Sequence, residues 1–456
     1  MTIRHALLVL LAAFAIRASY QALVMWMDGI FTVVDSGTYL AIAGDILETG
    51  RHARVIDGQI VPVIDRMPAY TYMLAGIIWL IGEVNHLAIT TVQAAVDSLT
   101  VLATALAARV VTPRLTWPAA ALGCLWPALV VYTSFVLTDT LFVMFFAWGL
   151  CACLWATRKP RVTLYLVAAG ACFGLALVTR PILQFFPVFL FPALVYLLFR
   201  GLGAGWRRAI VMAAVPVVVM GLFAVPRLAR TYDLYGSPVL STQTGMHAMN
   251  FIYPCLKTPW SCAEMAAIKQ RNAATVSDRL AKLPVEQARN PVIVDRIRRE
   301  LALELILALP PSQIALGWAA GAAKGLFQTV FYEVGYQLKL SPQYFSSISG
   351  ANLAERVNNF AKVLGENRFM VVWLIAQSLL LVSRLVQFGG CVGGLASRET
   401  RPIAVFLVVT AFYFLVVNGP VGYAKYRLPI EPALIIFLAM GGEMLWRKLT
   451  GRRVAA

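Results

Sequence analysis

The sequence predicts an all-α polytopic membrane protein, a bundle of about 10–11 transmembrane helices with interfacial helices on its outer face. Three observations predict it. Hydrophobic residues make up 60% of the 456 and charged residues only 13%, whereas a soluble chain is nearer half apolar and a quarter charged. The mean hydropathy is +0.73. The Lys and Arg behind the formal charge of +17 sit in short clusters between apolar runs, as in cytoplasmic loops. A nucleic-acid footprint would show a basic stripe with interleaved aromatics, so nucleic acid is not an expected partner and membrane lipids are.

Apolar runs long enough to span lie near 5–27, 87–110, 117–134, 138–156, 164–180, 182–199, 209–227, 369–388, 402–418 and 429–446. The first follows Arg4 and His5 and could imitate a signal peptide. It lacks a small-residue cleavage site and is read as a retained span. With a cytoplasmic N-terminus, alternation places Arg109, Arg114, Arg158, Lys159, Arg161, Arg200, Arg207, Arg208, Arg398, Arg401, Arg447, Lys448, Arg452 and Arg453 inside, with Glu399 the one carboxylate among them. That asymmetry is the positive-inside pattern of a multi-pass membrane protein.

The segment Pro68 to Gly82 is apolar but short. Counting it as a span would expel the Arg158 and Arg207 clusters, so it is read as interfacial. The chain then divides into an N-terminal transmembrane module, 1–227, with a first outer loop at 28–86; a large outer, periplasmic region at 228–368; and a C-terminal module at 369–456. Within the outer region, Ile314–Phe331 is weakly apolar; Lys324 and several Gly make it a poor lipid-facing span, and it is read as interfacial or spanning.

Cys124, Cys151, Cys153, Cys172 and Cys391 fall in or beside apolar runs and read as packing residues. Cys255 and Cys262 lie in the polar stretch, where an oxidising compartment would allow a disulfide between them. There is no GxxxxGK[ST], HExxH or GxSxG, and the histidines number four, His5, His52, His86 and His247. Energy for any chemistry must therefore come from the substrate.

Charge near membrane depth is costly and informative. On this topology Asp35 and Tyr39 open the first outer helix, and Arg66 precedes the second. Asp139 starts a span, Arg180 ends one, and Lys425 and Arg427 precede the last. Carboxylates there could act as a base or bind a divalent metal, while Arg and Lys could hold a phosphate. Each also has a structural reading: Asp35 and Asp139 as helix caps, the arginines as interfacial snorkellers, Tyr39 as part of an aromatic belt. Asp97, within VQAAVDSLTVL, has no charged neighbour in sequence and reads as a structural hydrogen-bonding group.

Taken in order, VVDSGTYLAIAGDILETG, DRMPAYTYMLA, YTSFVLTDTLFVMFFAWGL, GLALVTRPI and KYRLPIEPALIIFLA resemble the GT-C glycosyltransferases, in the branch of the protein O-mannosyltransferases and the lipid A aminoarabinose transferase. The resemblance spans the chain except 228–368. It implies a GT-C fold in a bacterial-type inner membrane and inverting transfer of a sugar from a polyprenyl-phosphate donor to a hydroxyl on a lipid, glycan or protein acceptor. It implies Asp35 as general base, Asp139 as its partner at the site, and Tyr39, Arg66, Arg180, Lys425 and Arg427 around phosphate or sugar. The first acidic site is Asp-Ser rather than the paired Asp-Glu of the mannosyltransferases, so a metal requirement does not carry over and no cofactor is certain. Two other classes compete. A transporter or flippase would show inverted repeats, which are not evident, and an O-antigen-ligase-like enzyme would use a diphosphate-linked glycan.

Overall fold

The computed structural model describes residues 1–158, 160–258, 262–340, 348 and 352–451. The first helix, α1 (Ile3–Trp26), is closed at its start by a capping box. The Thr2 side chain accepts from the His5 N–H, and the Thr2 amide donates to the His5 ring, both at 3.4 Å. After a short crossing, α2 (Val34–Thr49) begins one residue before Asp35. Asp35 is therefore not its cap. Ser36 takes that part, its Oγ accepting from the Val33 N–H at 3.0 Å and donating to the Val136 carbonyl at 2.8 Å. Tyr39, Ile42, Ala43 and Ile46 form the buried face, and Gly50, at φ 68°, closes the helix in the left-handed region.

A feature outside the all-α expectation follows. Strands β1 (Ala53–Ile56) and β2 (Gln59–Pro62) pair antiparallel. Asp57 and Gly58 turn between them at φ 51° and 76°, the primed turn that matches strand twist. Helix α3 (Pro68–Ile81) has 14 residues, roughly 21 Å, too short to cross a hydrocarbon core.

The bundle continues through α4 (His86–Val111), α5 (Thr116–Leu125) and α6 (Pro127–Tyr132). The apolar run 117–134 is thus not one helix. Pro127 cannot donate and crowds the preceding turn, so the chain breaks at Trp126. Then come α7 (Asp139–Trp155), α8 (Val162–Leu177), α9 (Phe186–Gly201) and α10 (Trp206–Tyr235). Helices α11 (Thr244–His247), α12 (Tyr253–Lys257), α13 (Cys262–Leu280) and α14 (Val285–Arg289) lead to α15 (Pro291–Leu307) and α16 (Pro311–Phe327). The last two bend by 112° where they meet. The stretch 314–331 thus leaves its helix at Gln328, ahead of α17 (Phe331–Gln337). Helices α18 (Leu353–Glu366), α19 (Arg368–Ala396), α20 (Arg401–Asn418), α21 (Ala424–Arg427) and α22 (Glu431–Thr450) complete the chain.

Among the described residues, seven helical segments are long and apolar enough to cross a membrane, with α7 and α8 shorter; the chain is a multi-pass membrane protein. Helices α4, α7, α8 and α10 pack in series, α9 lies on α20, and α19 lies on α22. Beneath the start of α7, Phe142, Phe146, Phe173, Phe186, Tyr413 and Phe414 interlock with ring centroids 5.0–6.3 Å apart, edge-to-face contacts that resist sliding. The place of Asp97 is explained by α1: Arg17, fully buried, donates from Nε to Asp97 Oδ2 at 2.6 Å and from its other nitrogens to the Ala13, Gly123 and Cys124 carbonyls. Asp97 does have a basic neighbour, eighty residues away in sequence. The Cys255–Cys262 pairing lies outside the described residues, because the Cys262 side chain is not among them.

Candidate active site

Two ion-paired carboxylates meet at one end of the bundle, held by elements far apart in sequence. Asp35, in the first turn of α2, is half-exposed, and Arg66 Nη2 donates to its Oδ1 at 3.2 Å. Asp139, the first residue of α7, is buried. Arg180, which ends the loop after α8, donates to its Oδ1, and Lys425 Nζ stands 3.6 Å from Oδ2. Arg180 and Lys425 keep 20% and 24% of their side-chain surface exposed. Asp139 therefore cannot itself meet a substrate, but it fixes two cations that can.

Tyr39 and Phe142 line the cations. The Arg66 guanidinium lies 5.7 Å from the Tyr39 ring and that of Arg180 the same distance from Phe142, cation–π contacts that orient both. Tyr39 in turn meets Tyr70 edge-on at 5.4 Å. Burial pushes the Tyr39 hydroxyl above its ordinary range, against the pull of Arg66 and Arg180. The backbone at Arg66 is stapled from α10, which runs past residue 227. Buried Arg227 donates to the Val63, Arg66 and Leu240 carbonyls, and Arg230 donates to the His52 carbonyl at 2.8 Å. Arg66 Nε is buried with no partner among the described residues, so this guanidinium keeps donor capacity for a ligand.

His247 is a member that the sequence reading did not single out. It ends α11, its ring 5.3 Å from Phe251. Burial, then the charges of Arg180 and Arg66, hold its pKa down at about 4, with Asp35 opposing and Lys425 reinforcing. A neutral imidazole thus belongs to the cluster at neutral pH. It lies in the unpatterned region 228–368, where a lone His carries no signal.

Arg427 is not brought in. One turn of backbone sends Lys425 to Asp139 and Arg427 the other way. Its Nε donates to Glu431 Oε1 at 2.6 Å and its Nη1 to the Gly325, Leu326 and Gln328 carbonyls. There it closes the end of α16 and lines an apolar cavity of about 250 Å³ with Trp126, Phe331, Leu379 and Leu380. Its donors serve the fold.

The site suits a phosphate better than a metal. Among the described residues no three His, Cys, Asp or Glu side chains come together to hold an ion. Each carboxylate is already faced by a cation, which lowers the negative potential a divalent ion needs. Among the described residues the site thus holds no all-protein metal cage.

Residues 65–228 match the family model described as dolichyl-phosphate-mannose-protein mannosyltransferase. That stretch holds Arg66, Asp139 and Arg180 but less than half of the chain. No curated protein matches the sequence. Among solved structures, the fold is similar to that of the archaeal oligosaccharyltransferase AglB from Archaeoglobus fulgidus in complex with an inhibitory peptide and a dolichol-phosphate. The identity is 16% and the TM-score 0.51, covering 99% of this chain and 52% of that one. A second structure of the Archaeoglobus fulgidus oligosaccharyltransferase, tethered to an acceptor peptide, matches at 14% identity and a TM-score of 0.52, covering 98% and 50%. ArnT from Cupriavidus metallidurans, bound to undecaprenyl phosphate, is 17% identical over 99% of this chain and 79% of that one, with a TM-score of 0.36. The chain spans about half the length of the oligosaccharyltransferase it matches, and at these identities the likeness is one of fold.

Proposed function

We propose that this chain, whose fold is similar to that of an oligosaccharyltransferase and whose residues 65–228 match a mannosyltransferase family model, is a GT-C glycosyltransferase moving a sugar from a polyprenyl-phosphate donor to an acceptor hydroxyl at the outer face of an inner membrane. The observation that carries this reading is the clustering of Asp35, Arg66, Asp139, Arg180 and Lys425 at one end of the bundle. It joins a half-exposed carboxylate to cations whose own partner is buried.

In this reading Asp35 Oδ takes the proton of the acceptor hydroxyl as the acceptor oxygen bonds to the anomeric carbon. The bond from that carbon to the phosphate oxygen breaks on the opposite face, giving inversion. The electron pair stays on the lipid phosphate, whose growing charge Arg180 and Lys425 meet. Cations fixed before the reaction need no reorganisation as charge develops, which is often the largest catalytic contribution. Arg66 holds Asp35 at the site while leaving half of its surface to the acceptor. Asp139 is a positioning residue: without it two cations would repel each other and lose their aim. Neutral His247 adds a hydrogen-bonding group that does not compete for the phosphate as a charge would. Because the lipid phosphate is already the leaving group, no nucleotide is needed in the step.

The test is a purified transfer assay with a polyprenyl-phosphate sugar series. Asp35→Asn keeps the shape and most hydrogen bonding but cannot take the proton. Transfer is expected to fall by at least about 100-fold, the usual scale of general-base catalysis, with membrane insertion unchanged. Transfer at the wild-type rate overturns the assignment of the base.

A further inference from the structure

A second cluster of fixed charge lies at the far end of the bundle. A polar cavity of about 400 Å³ is lined by Tyr196, Arg200, Arg398, Arg401 and Pro402. Arg200 is in the last turn of α9, whereas Arg180 precedes the turn that starts it. At 1.5 Å per residue the two arginines stand roughly 25–30 Å apart along the axis, about one hydrocarbon thickness. The cavity is therefore distinct from the Asp35 site.

Three guanidiniums around so small a space repel one another unless an anion sits among them. No carboxylate lines the cavity, and among the described residues none pairs with Arg200, Arg398 or Arg401. Arg401 is held in place, its Nε donating to the Leu395 carbonyl at 2.7 Å and its Nη2 to the Ala396 carbonyl at 3.0 Å. Arg200 and Arg398, which share the lining with it, are exposed. Close by, Phe199 and Trp206 meet edge-on at 5.8 Å, both exposed, as aromatic side chains do at headgroup depth.

We infer that this cavity is a binding site for a phosphate-bearing anion, the geometry favouring the phosphodiester headgroup of an anionic membrane lipid. The guanidinium fork matches two phosphate oxygens at once, so the forks of Arg200 and Arg398 suffice for a phosphodiester, and Arg401, its Nε and Nη2 held by carbonyls, adds a fixed positive charge. Tyr196, which also lines the cavity, offers a hydroxyl as a further donor. The volume suits a headgroup and its glycerol. Since Arg200 ends α9 and Arg401 begins α20, the bound phosphate ties together two packed helices that carry the aromatic core. A free phosphate ion shares the chemistry but lacks acyl chains to hold it at that depth.

The experiment uses the full chain in phosphatidylcholine nanodiscs. Phosphatidylglycerol is titrated in, retained lipid is counted by native mass spectrometry, and the thermal transition is followed. The comparison is Arg200→Gln/Arg398→Gln, which leaves Arg401 and its backbone bonds intact. The wild type is expected to retain phosphatidylglycerol and to melt higher in its presence. In the variant the affinity is expected to fall by roughly tenfold or more, as lost charge-assisted hydrogen bonds imply, while the transition in phosphatidylcholine alone is unchanged. Displacement of the lipid by millimolar inorganic phosphate would assign the site to the free ion; resistance assigns it to the lipid. Equal retention by both proteins overturns the proposal. Should the double variant unfold, Arg398→Gln alone, exposed and at the edge, repeats the measurement with the same two outcomes.

Discussion

Asp97 and Arg17 show how a charge inside a membrane protein declares its partner only in three dimensions. The sequence marks Asp97 as costly, yet its guanidinium comes from another helix and is completed by three carbonyls. Removing one member strands the other, so Asp97→Ala is expected to cost about 3–5 kcal/mol. A double change to apolar residues should recover most of it, read by thermal unfolding in detergent; equal loss in both variants would contradict the pairing. Arg427 makes the complementary case. As a phosphate holder its loss would raise the donor KM; as the partner of buried Glu431 and three carbonyls its loss should instead cost about 3–5 kcal/mol of stability, read as a lower melting temperature before any kinetic effect is measurable. Asp35, Asp139, Arg66, Arg180 and Lys425 were legible because charge at the ends of apolar runs is conspicuous. His247 and the fate of Arg427 were not, since both depend on tertiary neighbours. The histidines add a pH dependence. Burial first, then nearby arginines, hold His52 at about 3 and His247 at about 4, against an ordinary 6.5. The unfolded chain thus binds protons that the folded one refuses. Their contribution to stability is full above about pH 6.5 and is lost as the pH falls toward 4 for His247 and toward 3 for His52. His52, buried with its ring stacked on Tyr72, carries a large share. His52→Phe is expected to blunt the fall in melting temperature between pH 7 and 5, and an unchanged slope would count against this account.

The elements differ in how far the sequence specifies them. Gly50 after an amphipathic stretch foretells the end of α2, and it is there. The β-hairpin had its own signal, Asp-Gly between β-branched residues, hidden by the apolar statistics of the surrounding chain. The start of α2 moved because Ser36 could bond both Val33 and Val136, a contact that no local pattern encodes. Helix packing rests on small residues where backbones touch. A Cβ at Gly390 would run into the Phe437 carbonyl and one at Gly441 into the Val386 carbonyl, so α19 and α22 meet main chain to main chain. Gly390→Val is expected to push these helices apart and lower the melting temperature by several degrees, whereas Gly389→Val, with open space around its Cβ, should not. Equal effects would refute the close approach.

At the scale of the whole molecule, hydropathy and the placement of Lys and Arg between apolar runs were enough to specify a multi-pass helical bundle, because lipid leaves the backbone few alternatives. The placement of α2, the segment before α3, α7, the α8–α9 turn and α21 at one end followed from the positive-inside topology, and the resemblance, five segments in a familiar order, gave that placement a reaction, with region 228–368 opaque. That convergence gives the molecule two charged ends. One has carboxylates answering cations. The other has arginines alone around a cavity. The central claim is that the first end moves a sugar off a lipid phosphate with Asp35 as base. Mass spectrometry of envelope lipids and glycans tests it most directly, comparing cells that carry the wild-type gene, the Asp35→Asn variant and no gene. The account predicts that the variant matches the deletion, with one sugar missing from an envelope component and a sugar-loaded polyprenyl phosphate accumulating. A variant whose lipids and glycans match the wild type would contradict it.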